Sequence, residues 1–309
     1  MSVQSSAEPR GVSQSTLFAG QKQVRILSPG RRALLRFLRH KLAVGSTIFM
    51  ITVILAVFPL ASVVAPISPV RTSLREVRQP PSAAHILGTD LIGRDVWSRL
   101  VYGGRVSIAV GLVAVTIFMS IGTLLGSIAG YYGGKIDMVI MRVTDTVMAF
   151  PVLVILISIV AIVGPGIFNA MMAIGLIGWT GVARLVRGQI LSVRAMDFVL
   201  AAEAIGLPQG RILRRHILPS IVAPITVAGS FGIAGAILTE AGLSFLGLGV
   251  QIPTPSWGNM LNEAQSIEII ESFPWLWLPP GLMISLCVLA INFIGDGLRD
   301  ALDPRMTLT

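Results

Sequence analysis

Apolar residues come in long blocks along this chain, and most blocks are separated by short polar stretches. The first block, 42–65, is free of charged residues and long enough to cross the ~30 Å hydrocarbon core of a bilayer. Five more follow at about 106–130, 146–163, 168–186, 221–239 and 275–294, the third of them containing Pro151. The pattern predicts an all-α integral membrane protein with six transmembrane helices. The first block lies too far from Met1 and runs too long for a signal peptide, so it reads as a retained span. Small residues recur inside the spans. Gly122, Gly126 and Gly130 fall four apart in the second, and Gly229, Gly232 and Gly235 repeat in the fifth, a spacing that lets helix backbones pack closely.

Composition agrees with the pattern. Of 309 residues, 53% are hydrophobic and 13% charged, against about 25% charged in a soluble domain. The surface therefore cannot be wholly water-facing. The net charge of +9 could suggest nucleic acid, but in a membrane protein it reads as basic cytoplasmic loops, and no nucleic-acid partner is expected. The lone Cys287 excludes an internal disulfide, and His40, His85 and His216 lie far apart, so no metal site is expected.

The distribution of charge sets the topology. Arg10, Lys22, Arg25, Arg31, Arg32, Arg36, Arg39 and Lys41 precede the first span. Arg187, Arg194, Arg211, Arg214 and Arg215 lie between the fourth and fifth, while the stretch after the fifth carries Glu240, Glu263, Glu268 and Glu271 with no Lys or Arg. The positive-inside rule places both termini in the cytoplasm. The loop 66–104 is then extracytoplasmic despite its five arginines, as long loops translocate largely regardless of charge. Four parts result: a basic cytoplasmic segment 1–41, the first span with its outer loop 42–104, a core 105–297 with a cytoplasmic loop 188–219, and a cytoplasmic tail 298–309. Within the first part, 31–41 (RRALLRFLRHK) suits a basic interfacial helix on an anionic leaflet or, equally, an ordinary positive flank of a span. Trp257, Trp275 and Trp277 suit an outer aromatic belt. Asp145 suits an ion pair with Arg142, and Asp90 and Asp95 suit helix caps or ion pairs.

The loop 188–219 has the pattern of a docking element. Asp197 is a candidate N-cap, Gly206 a candidate left-handed helix end, and Phe198, Ala201, Ala202 and Ile205 share one helical face. A second basic helix follows Pro208, and Pro219 marks re-entry into the membrane. Physics alone leaves open whether this hairpin docks on a partner or rests on its own bundle.

The loop resembles the "EAA" loop of the membrane subunits of bacterial binding-protein-dependent ABC importers. Ala201, Ala202, Gly206, Leu218 and Pro219 match in register. Leu200 stands where the pattern has Glu, His216 where it has Ile, and Glu203 comes three residues late. The segment 85–90 (HILGTD), with Gly93, Arg94, Asp95, Ser98, Arg99, Gly103, Arg105 and Ser107, is similar to the extracytoplasmic signature of the second permease of dipeptide, oligopeptide and nickel systems. The runs 240–249, 253–258 and 295–305 look like the same family, so the resemblance covers roughly 35–305.

The resemblance implies one N-terminal helix plus a five-helix permease core. It implies pairing with a homologous permease as a heterodimer, with two cytoplasmic ABC ATPase subunits, and with an extracytoplasmic peptide-binding protein. The activity implied is non-catalytic: half of a peptide translocation pathway in the bacterial inner membrane. Nickel-chelate and glutathione importers are the alternatives within the family. The coupling role carries over to Phe198, Ala201, Ala202, Glu203, Ile205, Gly206, Leu218 and Pro219, while Gly88, Thr89, Asp90, Arg94 and Asp95 become candidates for facing the binding protein. The chain has no Gly-rich Lys-Ser/Thr phosphate loop, so ATP and Mg are expected on the partner ATPases. The spans are nearly charge-free, without the paired midplane charges of a secondary transporter, and no filter-like loop or nucleophile–base pair is evident, which disfavours a secondary transporter, a channel or a membrane hydrolase.

Overall fold

A computed structural model describes residues 28–263 and 265–302. Among these, the regular elements are helices, and one isolated bridge joins Thr89 and Asp95. In chain order they are α1 (Pro29–Arg39), α2 (Lys41–Val57), α3 (Ala61–Val64), α4 (Val96–Tyr132), α5 (Gly134–Met148), α6 (Val152–Val163), α7 (Ile167–Arg194) and α8 (Asp197–Ala204). There follow α9 (Gln209–Ile212), a π-helical stretch (Leu213–Ile217), α10 (Leu218–Ser220), α11 (Val222–Phe245), α12 (Trp257–Asn262), α13 (Ile267–Ser272) and α14 (Pro274–Leu302).

Four helices, α4, α7, α11 and α14, are each long and apolar enough to cross a membrane, and the number rises to six if each of two bent pairs is one span. The bends modify two predicted spans. The stretch 146–163 is not one rod, because α5 and α6 meet at 85° around Pro151, which has no N–H to donate and disfavours helix in the residue before it. The stretch 42–65 ends its helix at Val57, followed by Pro59 and the short α3. The interfacial helix expected at 31–41 is present as α1, which meets α2 at 92°. Between them His40 is extended, and its Nδ1 accepts from the Ala43 N–H at 3.1 Å to cap α2.

The helix α4 starts inside the predicted outer loop, nine residues before the expected boundary, because Asp95 caps it: its carboxylate accepts from the Ser98 N–H at 2.8 Å. At the other end of the chain α14 runs on to Leu302, about two turns past the apolar block and into the predicted tail. Residues 1–27 and 303–309 of the predicted terminal segments lie outside the described residues.

The most extensive helix contact is that of α4 with α7. A Cβ on Gly122 would lie 2.7 Å from the Trp179 carbonyl oxygen, and one on Gly126 would lie 2.5 Å from that of Ala183. Gly130 continues the stripe against Arg187, so the predicted close packing holds in the second span. The fifth-span stripe is looser than expected. Gly232 packs on the Phe118 ring, but Gly235 faces open space. Two ion pairs fasten α5 across α7: Arg187 to Asp137 at 2.5 and 2.6 Å, and Arg184 to Asp145 at 2.7 Å. Asp145 thus pairs across helices rather than with Arg142 on its own helix.

Candidate functional site

The segment expected to dock lies at the end of α7. Asp197 is the first residue of α8 rather than its cap; Met196 holds the cap position without a side-chain bond. The acid still sits well there, since the first turn carries unpaired N–H dipoles that favour negative charge. The helix closes as predicted. Gly206 has φ +76°, its N–H donates to the Glu203 carbonyl at 2.9 Å, and the Leu207 N–H donates to that of Ala202 at 3.2 Å. These two bonds form a Schellman cap, and only the backbone conformation demands glycine, for no atom lies within 4 Å of a Cβ there.

The four residues assigned to one docking face divide. Ala202, 5% exposed, turns inward with Val199 and packs in a cluster that includes Val193, Ile212 and Ile217. Phe198, Ala201 and Ile205 point outward, Ile205 at 76% exposure, and Leu200 joins them. The hairpin therefore rests on its own bundle through one face and presents another, a division that an eight-residue helix with apolar residues all round cannot reveal from spacing. Glu203 is exposed, as are Arg211, Arg214, Arg215 and Pro219, while Leu218 is half-buried. Arg194 ties this end of the bundle together by donating to the Tyr131 carbonyl at 2.7 Å. Leu213, Arg214 and Leu218 also line a cavity of about 620 Å³ whose other wall is the Ser120, Thr123 and Ser127 side of α4.

At the opposite end of α4 the structure gathers four of the five outer-loop candidates into a buried charge cluster. Asp90 accepts from Arg94 Nε at 2.5 Å and from the N–H groups of Ile92 and Arg94 at 3.0 and 2.9 Å, with Arg99 at 3.5 Å. Arg94 Nη2 reaches Glu263 at 2.6 Å, and Arg99 Nη2 reaches it at 3.2 Å. Asp95 receives His85 Nδ1 at 2.9 Å. Thr89 donates to the Glu76 carbonyl, and Gly88 and Gly93 hold positive φ where a Cβ would strike the backbone of Gln79 and Ser73. Thr89, Asp90, Arg94 and Asp95 are all buried. Their side chains satisfy one another and hold the loop in shape, the cap and ion-pair roles that Asp90 and Asp95 suited.

Glu263, which the sequence marks only as one of four acids in the outer stretch, is the shared acceptor of Arg94 and Arg99. Burial pushes its carboxyl above the usual carboxylate range, Arg99 and Arg94 pull it back, and the Asp90 charge adds to the upward push. Glu240 is not a loop acid at all. It lies inside α11, fully buried, and accepts from Ser107 Oγ at 2.8 Å and Ser244 Oγ at 2.7 Å. Ser107 also accepts from the Trp257 N–H at 3.2 Å, and the Trp257 indole donates to the Leu100 carbonyl at 2.9 Å. Trp257 is thus buried at the heart of the outer half rather than in an aromatic belt. Trp275 and Trp277 are half-buried and bond the Thr89 and Ile270 carbonyls. The signal that marks Glu240 was present in the sequence: an acid on an apolar helix with Ser four residues on.

Residues 122–308 match the family described as "Binding-protein-dependent transport system inner membrane component". Residues 28–81 match the "N-terminal TM domain of oligopeptide transport permease C". The chain is 46% identical, over 93% of each chain, to a dipeptide transport system permease protein of Alkalihalophilus pseudofirmus. It is 42% identical to a glutathione transport system permease protein of Pectobacterium atrosepticum, covering 91% of this chain and 93% of that one. An oligopeptide transport system permease protein of Haemophilus influenzae is 41% identical over 87% of this chain and 86% of its own. A match over more than half the chain, on a bundle with four to six spans, assigns it: the protein belongs to the family of inner membrane components of binding-protein-dependent transport systems.

Proposed function

We propose that this chain is a permease subunit of an ATP-driven peptide importer, forming half of the translocation pathway beside a homologous permease. The observation that carries the reading is the 46% identity, over 93% of each chain, to a protein named as a dipeptide permease. In this reading the peptide arrives from an extracytoplasmic binding protein, and two ABC ATPase subunits holding ATP and Mg sit on the cytoplasmic side. Both termini are cytoplasmic, consistent with the basic residues around α1 and α8–α10.

The outward face of α8 suits a docking role. Phe198, Leu200, Ala201 and Ile205 are exposed in a loop that the charge distribution assigns to water, and Arg211, Arg214 and Arg215 flank them. An exposed apolar patch rimmed by charge is the ordinary form of a protein interface. Movement of that patch with ATP closure would be passed to α7 and α4, and so to the cavity between α4 and the loop.

The relative named for glutathione supports a second reading within the same class, since glutathione is itself a small peptide. Uptake by the complex purified with its partner subunits and reconstituted in liposomes separates these. Accumulation of a labelled dipeptide that needs both ATP and the binding protein is the expected result. Accumulation of glutathione without dipeptide would favour the second reading, and uptake driven by an ion gradient without ATP would overturn both.

A further inference from the structure

We propose that the cleft between α2 and α14, together with the basic side of α1, is a binding site for an anionic phospholipid in the leaflet on the α1 side. The cleft has a volume of about 320 Å³. Its walls are two matched stripes: Leu42, Gly45 and Phe49 on α2, and Leu286, Leu289 and Phe293 on α14. Each stripe follows helical spacing over about 10 Å along its axis, the form of a channel parallel to the span rather than a pit. Lys41 is the one charged residue of the lining and sits at its α1 end. An apolar slot ending in an ammonium matches a lipid, with an acyl chain along the slot and a phosphate at its mouth.

The neighbouring helix supplies the rest of the headgroup site. Because α1 meets α2 at 92°, it lies along the membrane surface if α2 runs across it. Leu34, Leu35 and Leu38 are exposed on α1, as are Arg31, Arg32 and Arg39. Leucines facing the acyl layer and arginines at the phosphate level are what an interfacial helix requires. The helix is held in place, since a Cβ on Gly297 of α14 would strike Ala43 and lie 3.2 Å from the Phe37 ring. Arg31, Arg32, Arg36, Arg39, Lys41 and Arg299 outnumber Asp296 and Asp300, the latter 3.9 Å from His40. That excess selects a lipid of negative headgroup over a zwitterionic one.

The test uses the full chain with its co-purifying subunits in nanodiscs holding equal amounts of phosphatidylglycerol and phosphatidylcholine. One or the other carries a photoactivatable acyl chain, and labelled peptides are mapped by mass spectrometry. Phosphatidylglycerol should label 42–49 and 286–293 several-fold more than phosphatidylcholine. Lys41→Gln should lower that preference by about fivefold, and Lys41→Arg should keep it. Gly45→Leu should abolish labelling of the slot by both lipids, and the fold should tolerate it because no atom lies within 4 Å of a Cβ there. Equal labelling by both lipids in the unmodified protein would overturn the site, leaving ordinary boundary lipid. So would labelling by neither lipid together with crosslinks from Leu289 to a co-purified subunit, which would make the slot a protein interface.

Discussion

Arg94 and Glu263 are 169 positions apart in the chain and 2.6 Å apart in space. Through this contact the outer loop ahead of α4 is fastened to the turn after α12, and Arg94 simultaneously holds Asp90 at 2.5 Å. One guanidinium bridges two acids from opposite halves of the protein, which its planar fork can do and a lysine ammonium cannot do with the same geometry.

Replacing Arg94 with Met leaves Asp90, 2% exposed, with Arg99 at 3.5 Å as its one remaining cation among the described residues. Breaking a buried pair from one side costs about 3 kcal/mol. We expect a lower unfolding temperature for purified Arg94→Met in detergent and an intermediate value for Arg94→Lys. An unchanged unfolding temperature for Arg94→Met would show that the cluster contributes nothing.

Glu263 gives a pH dependence of unusual sign. Its carboxyl is held above the ordinary range by burial, so folding favours the protonated form. The unmodified protein should gain stability as pH falls through the raised value towards about 4.3, the ordinary carboxylate value, and lose it as pH rises again. Glu263→Gln carries no titrating group there. The difference in unfolding temperature between the two should shift in favour of the unmodified chain at the acid end, and a shift the other way would show that the arginines outweigh burial.

Gly126→Ala tests the α4–α7 contact. Its new Cβ would lie 2.5 Å from the Ala183 oxygen, a backbone atom that cannot turn aside. Overpacking of this kind costs about 2 kcal/mol. Gly181→Ala on α7, which faces open space, is the control and should be neutral or slightly stabilising. Thermal unfolding of both variants reads the difference.

At α8 the inward and outward faces make opposite predictions. Ile205→Arg, on the exposed side, should leave the unfolding temperature unchanged but weaken retention of ATPase subunits during purification and lower ATP-dependent uptake by tenfold or more. Ala202→Arg should lower the unfolding temperature, since the side chain is buried in its own bundle. Full uptake by Ile205→Arg would leave the hairpin as a piece of self-packing.

Orientation is open to labelling with an impermeant thiol reagent on intact cells. Ser82→Cys should react from outside and Gln209→Cys should not; both positions are exposed, and Cys287 is buried and should give little background. The reverse pattern would invert the topology.

Spans and their order were legible in the sequence because twenty apolar residues in a row have few other uses. The Gly122–Gly126–Gly130 stripe was legible for a similar reason, as spacing of four puts residues on one side of a helix whatever it meets. What stayed hidden depended on long-range pairing. Local order cannot reveal that Asp145 chooses Arg184 over Arg142, or that Trp257 folds inward against Leu100 rather than out to the headgroups. The α8 face failed for a narrower reason: Ala202 and Ala201 are chemically identical, and only the bundle beneath them decides which is covered. Gly206, by contrast, was read correctly because a positive φ is a local demand that one residue type meets.

The unbroken length of α4 has a mechanical consequence. Thirty-seven residues make a rod of about 55 Å. One end is pinned in the Asp90–Arg94–Glu263 knot; at the other, the carbonyl of Tyr131 is gripped by Arg194 beside α8. No proline interrupts it to absorb a bend, and its one glycine pair, Gly103–Gly104, is packed against Ser256 and Trp257. A tilt of about 10° about its midpoint would carry each end about 5 Å in opposite directions, so a push delivered at the α8 hairpin arrives on the far side of the membrane as an equal and reversed displacement.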